Sequence, residues 1–136
     1  MLLLIYFLLF ETMITVERNL PPYLDTMFDL GSTAKSLAFL IVVVFALVGG
    51  VLASKVITFF NAEKRLKIGS LSLVVGIILI TVGNLPALVA STIIAGISYG
   101  VLETAIRTHF MNHFSPEHAG RNFGVLAMVE RTSGTI

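Results

Sequence analysis

The chain has 136 residues, of which 56% are hydrophobic and 12% charged, with a formal net charge of +1; its mean hydropathy is +0.94. A water-facing surface normally carries about 25% charged residues, so composition argues against a soluble domain, and the small net charge argues against a nucleic-acid partner. The sequence has no cysteine, which excludes a disulfide framework and thiolate metal sites.

A spanning helix needs about 20 mostly apolar residues. The first candidate span covers residues 1–19. Its opening, Met1-Leu2-Leu3-Leu4-Ile5, lacks both the basic n-region and the cleavage site of a signal peptide, so a retained span is predicted. It is expected to end before Pro21-Pro22, with a polar stretch from Pro21 to Lys35 whose Asp25, Asp29 and Gly31 supply turn chemistry. The second span starts near Lys35 and continues toward Phe60, with no charge between Lys35 and Lys55. A basic loop follows, containing Lys64, Arg65 and Lys67.

Residues 68–102 are all uncharged, too long a run for one ordinary crossing. Gly83-Asn84-Leu85-Pro86 is the turn signal inside it and predicts a hairpin between spans over 66–83 and 86–110. Proline is accepted in the first turn of a helix, where its missing N–H would be unpaired anyway. After a polar loop, a fifth helix is expected to open over 122–136, short enough to suggest a longer parent chain. The fold class is thus an all-α polytopic transmembrane helix bundle, a single membrane domain over 1–136 with four spans and the start of a fifth. Basic residues crowd the loops after spans two and four, which places the N-terminus in the cytoplasm by the positive-inside rule. The plasma membrane is the expected location.

Helices in lipid associate through close packing, so small residues should recur on one face. Ala46, Gly50 and Ser54 do so in span two, Gly69, Gly76 and Gly83 in span three, and Thr92, Gly96, Gly100 and Thr104 in span four. They read as packing seams or as sliding surfaces; spacing does not separate the two.

An ionisable group at the bilayer centre costs about 2.5 kcal/mol or more and asks for a reason. Glu11 lies about 15 Å into span one at helical rise, and Thr15 and Arg18 share its face. This strip is the candidate site for a proton or a cationic substrate. The structural alternatives are a Glu11–Arg18 pair or a span that begins later. Glu103 and Arg107 stand in the favourable acid-before-base order at i,i+4, either as a plain intrahelical pair or as one that changes partners between two states. His109 and His113 have a spacing that can hold zinc, but a site needs three or four ligands. With no acidic cluster beside them, neither metal nor cofactor is expected. No nucleophile elbow or phosphate loop is present, so no enzyme activity is expected.

These features resemble the major facilitator superfamily. Gly49-Gly50-Val51-Leu52-Ala53-Ser54-Lys55, followed by Lys64-Arg65, is similar to the family's loop motif after its second helix. The hairpin and glycine-rich fourth span fit the same order. Phe114-Ser115-Pro116-Glu117-His118-Ala119-Gly120-Arg121 through Gly124 looks like the family's Pro-Glu…Gly-Arg…Gly loop. The resemblance makes Gly50, Ser54, Lys55, Glu117 and Arg121 candidates for gating or the cytoplasmic loops, beside the Glu103–Arg107 pair. Ser54 stands where the family has an acid, so a charge relay through that acid cannot operate in the same way here. Thr92 or its neighbours stand where the first-half fourth helix has an arginine, which points to the second half. Such transporters have about twelve spans in two halves with the cargo site between them. The expectation is therefore a transporter of a small solute, proton-coupled, working by alternating access and needing a second half or a homo-oligomer within the lipid bilayer. The alternatives are a small dimeric multidrug-type exporter, against which the long 21–35 loop speaks, and a structural or assembly subunit.

Overall fold

The computed structural model describes residues 2–29, 31–55, 59–113 and 116–133. Among these the regular structure is all helical, in five α-helices: α1 (Leu2–Phe28), α2 (Ser32–Lys55), α3 (Ala62–Ile80), α4 (Leu85–His113) and α5 (Ala119–Ser133), with a 3-10 turn at Pro116–His118 before α5. Met1, residues 56–58 on the expected path toward Phe60, Phe114-Ser115 of the loop motif and residues 134–136 of the expected fifth helix lie outside the described residues.

The first helix corrects the sequence reading. It does not end before Pro21-Pro22 but runs through both to Phe28. Each proline removes one i→i−4 bond and crowds the carbonyl four residues back, which ordinarily stops a helix. Here tertiary anchors hold the segment beyond the prolines. The Tyr23 hydroxyl donates to the Ile80 carbonyl at 3.2 Å, and Leu24 is fully buried. Thr26 Oγ1 also donates back to the Pro22 and Tyr23 carbonyls at 3.3 and 3.0 Å. The expected polar loop over 21–35 is therefore mostly helix. Asp29, just beyond α1, has a φ of 47°, a left-handed value that aspartate tolerates better than most residues.

The hairpin between α3 and α4 has the predicted chemistry. Gly83 lies beyond α3, in the turn, with φ of 74°, a backbone conformation that glycine adopts at no steric cost. The Asn84 side chain accepts a hydrogen bond from the Ala87 N–H at 2.8 Å and so caps α4. Asn61 does the same for α3 through the Lys64 N–H at 3.1 Å. The fifth helix begins at Ala119, three residues before its expected start.

Helix α4 is the centre of the assembly, with α2 and α3 both packed along it and α1 packed against α5. Two apolar clusters result: Tyr6, Phe10, Ile106, Phe110 and Leu126, and Met13, Leu73 and Leu102. The outward faces stay apolar, with Leu40, Leu47, Leu71 and Ile78 all more than half exposed. Such continuous apolar surface is foreign to a water-soluble monomer. Among the described residues, α2 and α4 are long and apolar enough to cross a membrane, and only 11% of the apolar stretch of α2 is buried, unlike a soluble core helix. In α1 the apolar run is interrupted by Glu11, Glu17 and Arg18, and in α3 by Glu63, Lys64, Arg65 and Lys67 near its start.

Candidate functional site

The small residues of the seams decide where the helices can approach. A Cβ on Gly96 would fall 2.6 Å from the Val42 carbonyl oxygen, one on Gly100 2.6 Å from the Gly50 amide nitrogen, and one on Gly49 2.9 Å from the Ile97 carbonyl carbon. Backbone thus meets backbone between α2 and α4, the close approach that glycine permits in lipid. On the opposite side of α4, a Cβ on Gly69 would sit 2.9 Å from Leu102, and Ser98 donates to Ser72 at 2.8 Å. Gly83 takes no part in this packing.

Helix α1 meets the others differently. Tyr6 shares a 2.6 Å hydrogen bond with Nδ1 of His109 near the end of α4. At the other end of α1, Tyr23 reaches Ile80, just before α4 begins. The two helices therefore run antiparallel. Between α1, α2 and α4 they leave a cavity of about 320 Å³. Its wall is mostly apolar, with Met13, Leu20, Phe39, Val42 and Leu73 contributing, and its ionisable groups are Glu17, Lys35, Tyr99 and Glu103.

Register sets the depth of these groups. Glu17 lies about 16 Å along α1 from Tyr6, and Tyr99 about 15 Å back along α4 from His109. The two are therefore level. Tyr99 is also the midpoint of Leu85–His113, so this level is halfway along the central helix. Glu103 is ion-paired with Arg107 at 2.7 Å, and Arg107 in turn approaches Glu130 of α5 at 4.0 Å. Lys35 is ion-paired with Asp25 across the α1–α2 turn. Two carboxylates, an ammonium and a phenol on a mostly apolar wall can orient a small molecule while the apolar surface buries it.

The expected strip is split by the structure. Glu11 is half-buried, and its Oε2 is buried with no hydrogen-bond partner among the described residues. Thr15 and Arg18 are exposed, and neither lines the cavity. The acid on the cavity side is Glu17, which the spacing argument passed over. A signal for it was present: Tyr6, Phe10, Met13, Leu20 and Leu24 form an apolar stripe at helical spacing, and position 17 falls within it.

Of the motif residues, Gly50 faces α4, where an added Cβ would lie 3.6 Å from Thr104 Oγ1. Ser54 is exposed and donates to the Val51 carbonyl at 3.0 Å. Arg65 donates from Nη1 to the Ala53 carbonyl at 3.2 Å, tying the start of α3 to the last turns of α2. Lys55, Glu117 and Arg121 are exposed and stand apart from the cavity wall. His109 is engaged by Tyr6, and the His113 ring lies 4.4 Å from it, centroid to centroid.

The sequence matches the Major Facilitator Superfamily over residues 1–136. The chain belongs to that superfamily. No curated protein and no solved structure matches it. Superfamily membership and the apolar helices together make it an integral membrane protein of the major facilitator transporter type.

Proposed function

We propose that this chain forms part of a secondary transporter that moves a small solute by alternating access, and that the cavity between α1, α2 and α4 is its share of the solute path. The observation that carries this reading is Glu17 at the level of Tyr99, midway along α4, in a cavity whose wall is mostly apolar. Placing a carboxylate there is costly unless it is used. Glu11 is the proton-coupling residue in this scheme. Its Oε2, buried with no hydrogen-bond partner among the described residues, supports that role.

Family architecture supports completion of the path by a second half or a second copy, since the cargo site of such transporters lies between repeats. The lysines and arginines after α2 and α4 support a cytoplasmic N-terminus, and the plasma membrane is the proposed location. The test is flux in proteoliposomes under an imposed proton gradient. Gradient-driven uptake is expected to be lost in Glu11→Gln while downhill exchange persists. Coupling that survives Glu11→Gln unchanged removes Glu11 from the mechanism.

A further inference from the structure

We propose that His109 and His113, in the last turns of α4, form an open two-imidazole site for one divalent transition-metal ion, Cu²⁺ ahead of Zn²⁺, with Tyr6 of α1 orienting the inner ring. The site is separate from the cavity, whose wall includes neither histidine, and it does not depend on the transport reading. Spacing alone gave no reason to expect a metal here. Ring separation and the placement of protons supply one.

Each ring has one nitrogen engaged and one left over. Nδ1 of His113 lies 2.9 Å from the His109 carbonyl. A carbonyl only accepts, so this nitrogen carries the proton, and Nε2 of the neutral ring keeps its lone pair. Nδ1 of His109 shares the 2.6 Å hydrogen bond with Tyr6. A phenol accepts as well as donates, so the ring proton can sit on Nδ1 and leave a lone pair on Nε2 here too. Metal-ligating histidines have this arrangement, with one N–H held by an oxygen and the other nitrogen on the ion. Neither Nε2 has a hydrogen-bond partner among the described residues.

The separation of the rings fits an ion between them. Metal–nitrogen bonds of about 2.0–2.1 Å meeting at a right angle put two imidazole centres roughly 4.5 Å apart. The two rings stand 4.4 Å apart, tilted by 42°. Nitrogens at right angles suit the square-planar preference of Cu²⁺, which also heads the order of divalent affinities. Among the described residues no third His, Cys, Asp or Glu completes the group, so water fills the remaining positions, unlike in a closed structural zinc site. Water has access, since His113 is exposed and His109 half-buried. An ion on Nε2 keeps the His109 proton on Nδ1, where it is donated to Tyr6. Occupancy therefore braces the end of α4 against α1.

The experiment is a Cu²⁺ titration of the tag-free, detergent-solubilised full chain, read by equilibrium dialysis and by electron paramagnetic resonance. The expected result is one saturable ion per chain carrying the nitrogen splitting of two imidazoles, with Zn²⁺ bound at least about tenfold more weakly. His109→Ala and His113→Ala should each lose at least about tenfold in affinity. His118→Ala, the remaining histidine, exposed in the turn before α5, should stay within about threefold. Tyr6→Phe should lose about tenfold, the low end for a partner that orients a ligand, and keep the two-nitrogen signal. Because His113 is exposed, its truncation leaves the packing intact, and retained helicity by circular dichroism checks this. Wild-type affinity in His113→Ala, an equal loss in His118→Ala, or a one-nitrogen signal overturns the inference.

Discussion

Tyr6 and His109 share a 2.6 Å hydrogen bond although 103 residues separate them in the chain. The Tyr6 side chain is completely buried, and its ring also stacks at a tilt on Phe110, 5.7 Å between centroids. This contact fixes the depth of α1 relative to α4, and with it the level at which Glu17 meets the cavity. Replacing Tyr6 with Phe keeps the ring and removes the hydroxyl. It should cost about 1–2 kcal/mol, the penalty for a buried hydrogen bond with one partner deleted. Unfolding of the detergent-solubilised variant by denaturant titration measures this, and a double-mutant cycle with His109→Ala isolates the pair. A coupling near zero would show that the bond contributes nothing.

Between α2 and α4 the prediction is a contrast. Gly100→Ala drives a methyl group into the Ala46 carbonyl and the Gly50 amide. Backbone atoms cannot step aside as a flexible side chain can, so the helices must separate, at about 1–3 kcal/mol or more. Gly50→Ala adds its methyl 3.6 Å from Thr104 Oγ1, an ordinary contact, and should be tolerated. Comparing the melting temperatures of the two variants tests the packing directly. Equal destabilisation would contradict the observed crossing.

Arg107 stands between two acids, with Glu103 at 2.7 Å on its own helix and Glu130 at 4.0 Å on α5. These side chains are 40–48% exposed, so each pair should be worth under about 1 kcal/mol. Glu103→Gln should therefore barely change stability, because Glu130 can take over. The double variant Glu103→Gln/Glu130→Gln should lose more than the sum of the singles. Solute exchange rates in the same variants distinguish a static pair from one that changes partners during transport. A static pair leaves the rates alone.

The start of α3 gives a pH prediction. Glu63 is held below its ordinary value of 4.5 chiefly by its hydrogen bond to Lys67, and further by the Lys67 charge. A carboxylate with a depressed folded-state pKa stabilises the fold above its unfolded value, and loses that contribution as pH falls through the folded one. The contribution is thus present at neutral pH and fades below about pH 4.5. The side chain is exposed, so the effect is small. In melting curves recorded across the acid range, Glu63→Gln should show a shallower decline than the wild type below that pH.

What could be read from the sequence follows the physics of each signal. The Gly83–Pro86 hairpin was legible because a positive φ, a capping asparagine and a first-turn proline are local requirements. The glycine seams were legible because close helix contact needs small side chains whatever the tertiary arrangement. Pro21-Pro22 misled because the forces that carry α1 past them, the Tyr23–Ile80 bond and the burial of Leu24, come from partners far away in the chain. Glu17 was missed for a related reason. The spacing of Glu11, Thr15 and Arg18 establishes that they share a face, but not which way that face points. Direction is set by the apolar stripe from Tyr6 to Leu24, and in a lipid-facing helix apolar residues on every side blur that stripe.

The backbone crossing of α2 over α4 constrains motion as well as packing. Where carbonyls rest on glycines there are no rotamers to re-sort, so that pair has little slack with which to rock or slide. Helix α1 is joined to its neighbours through longer side chains, Tyr6 and Tyr23 at its two ends, which can swivel. Were the cavity to widen or shut, α2 and α4 would act as the doorframe and α1, leaning on α5, as the door.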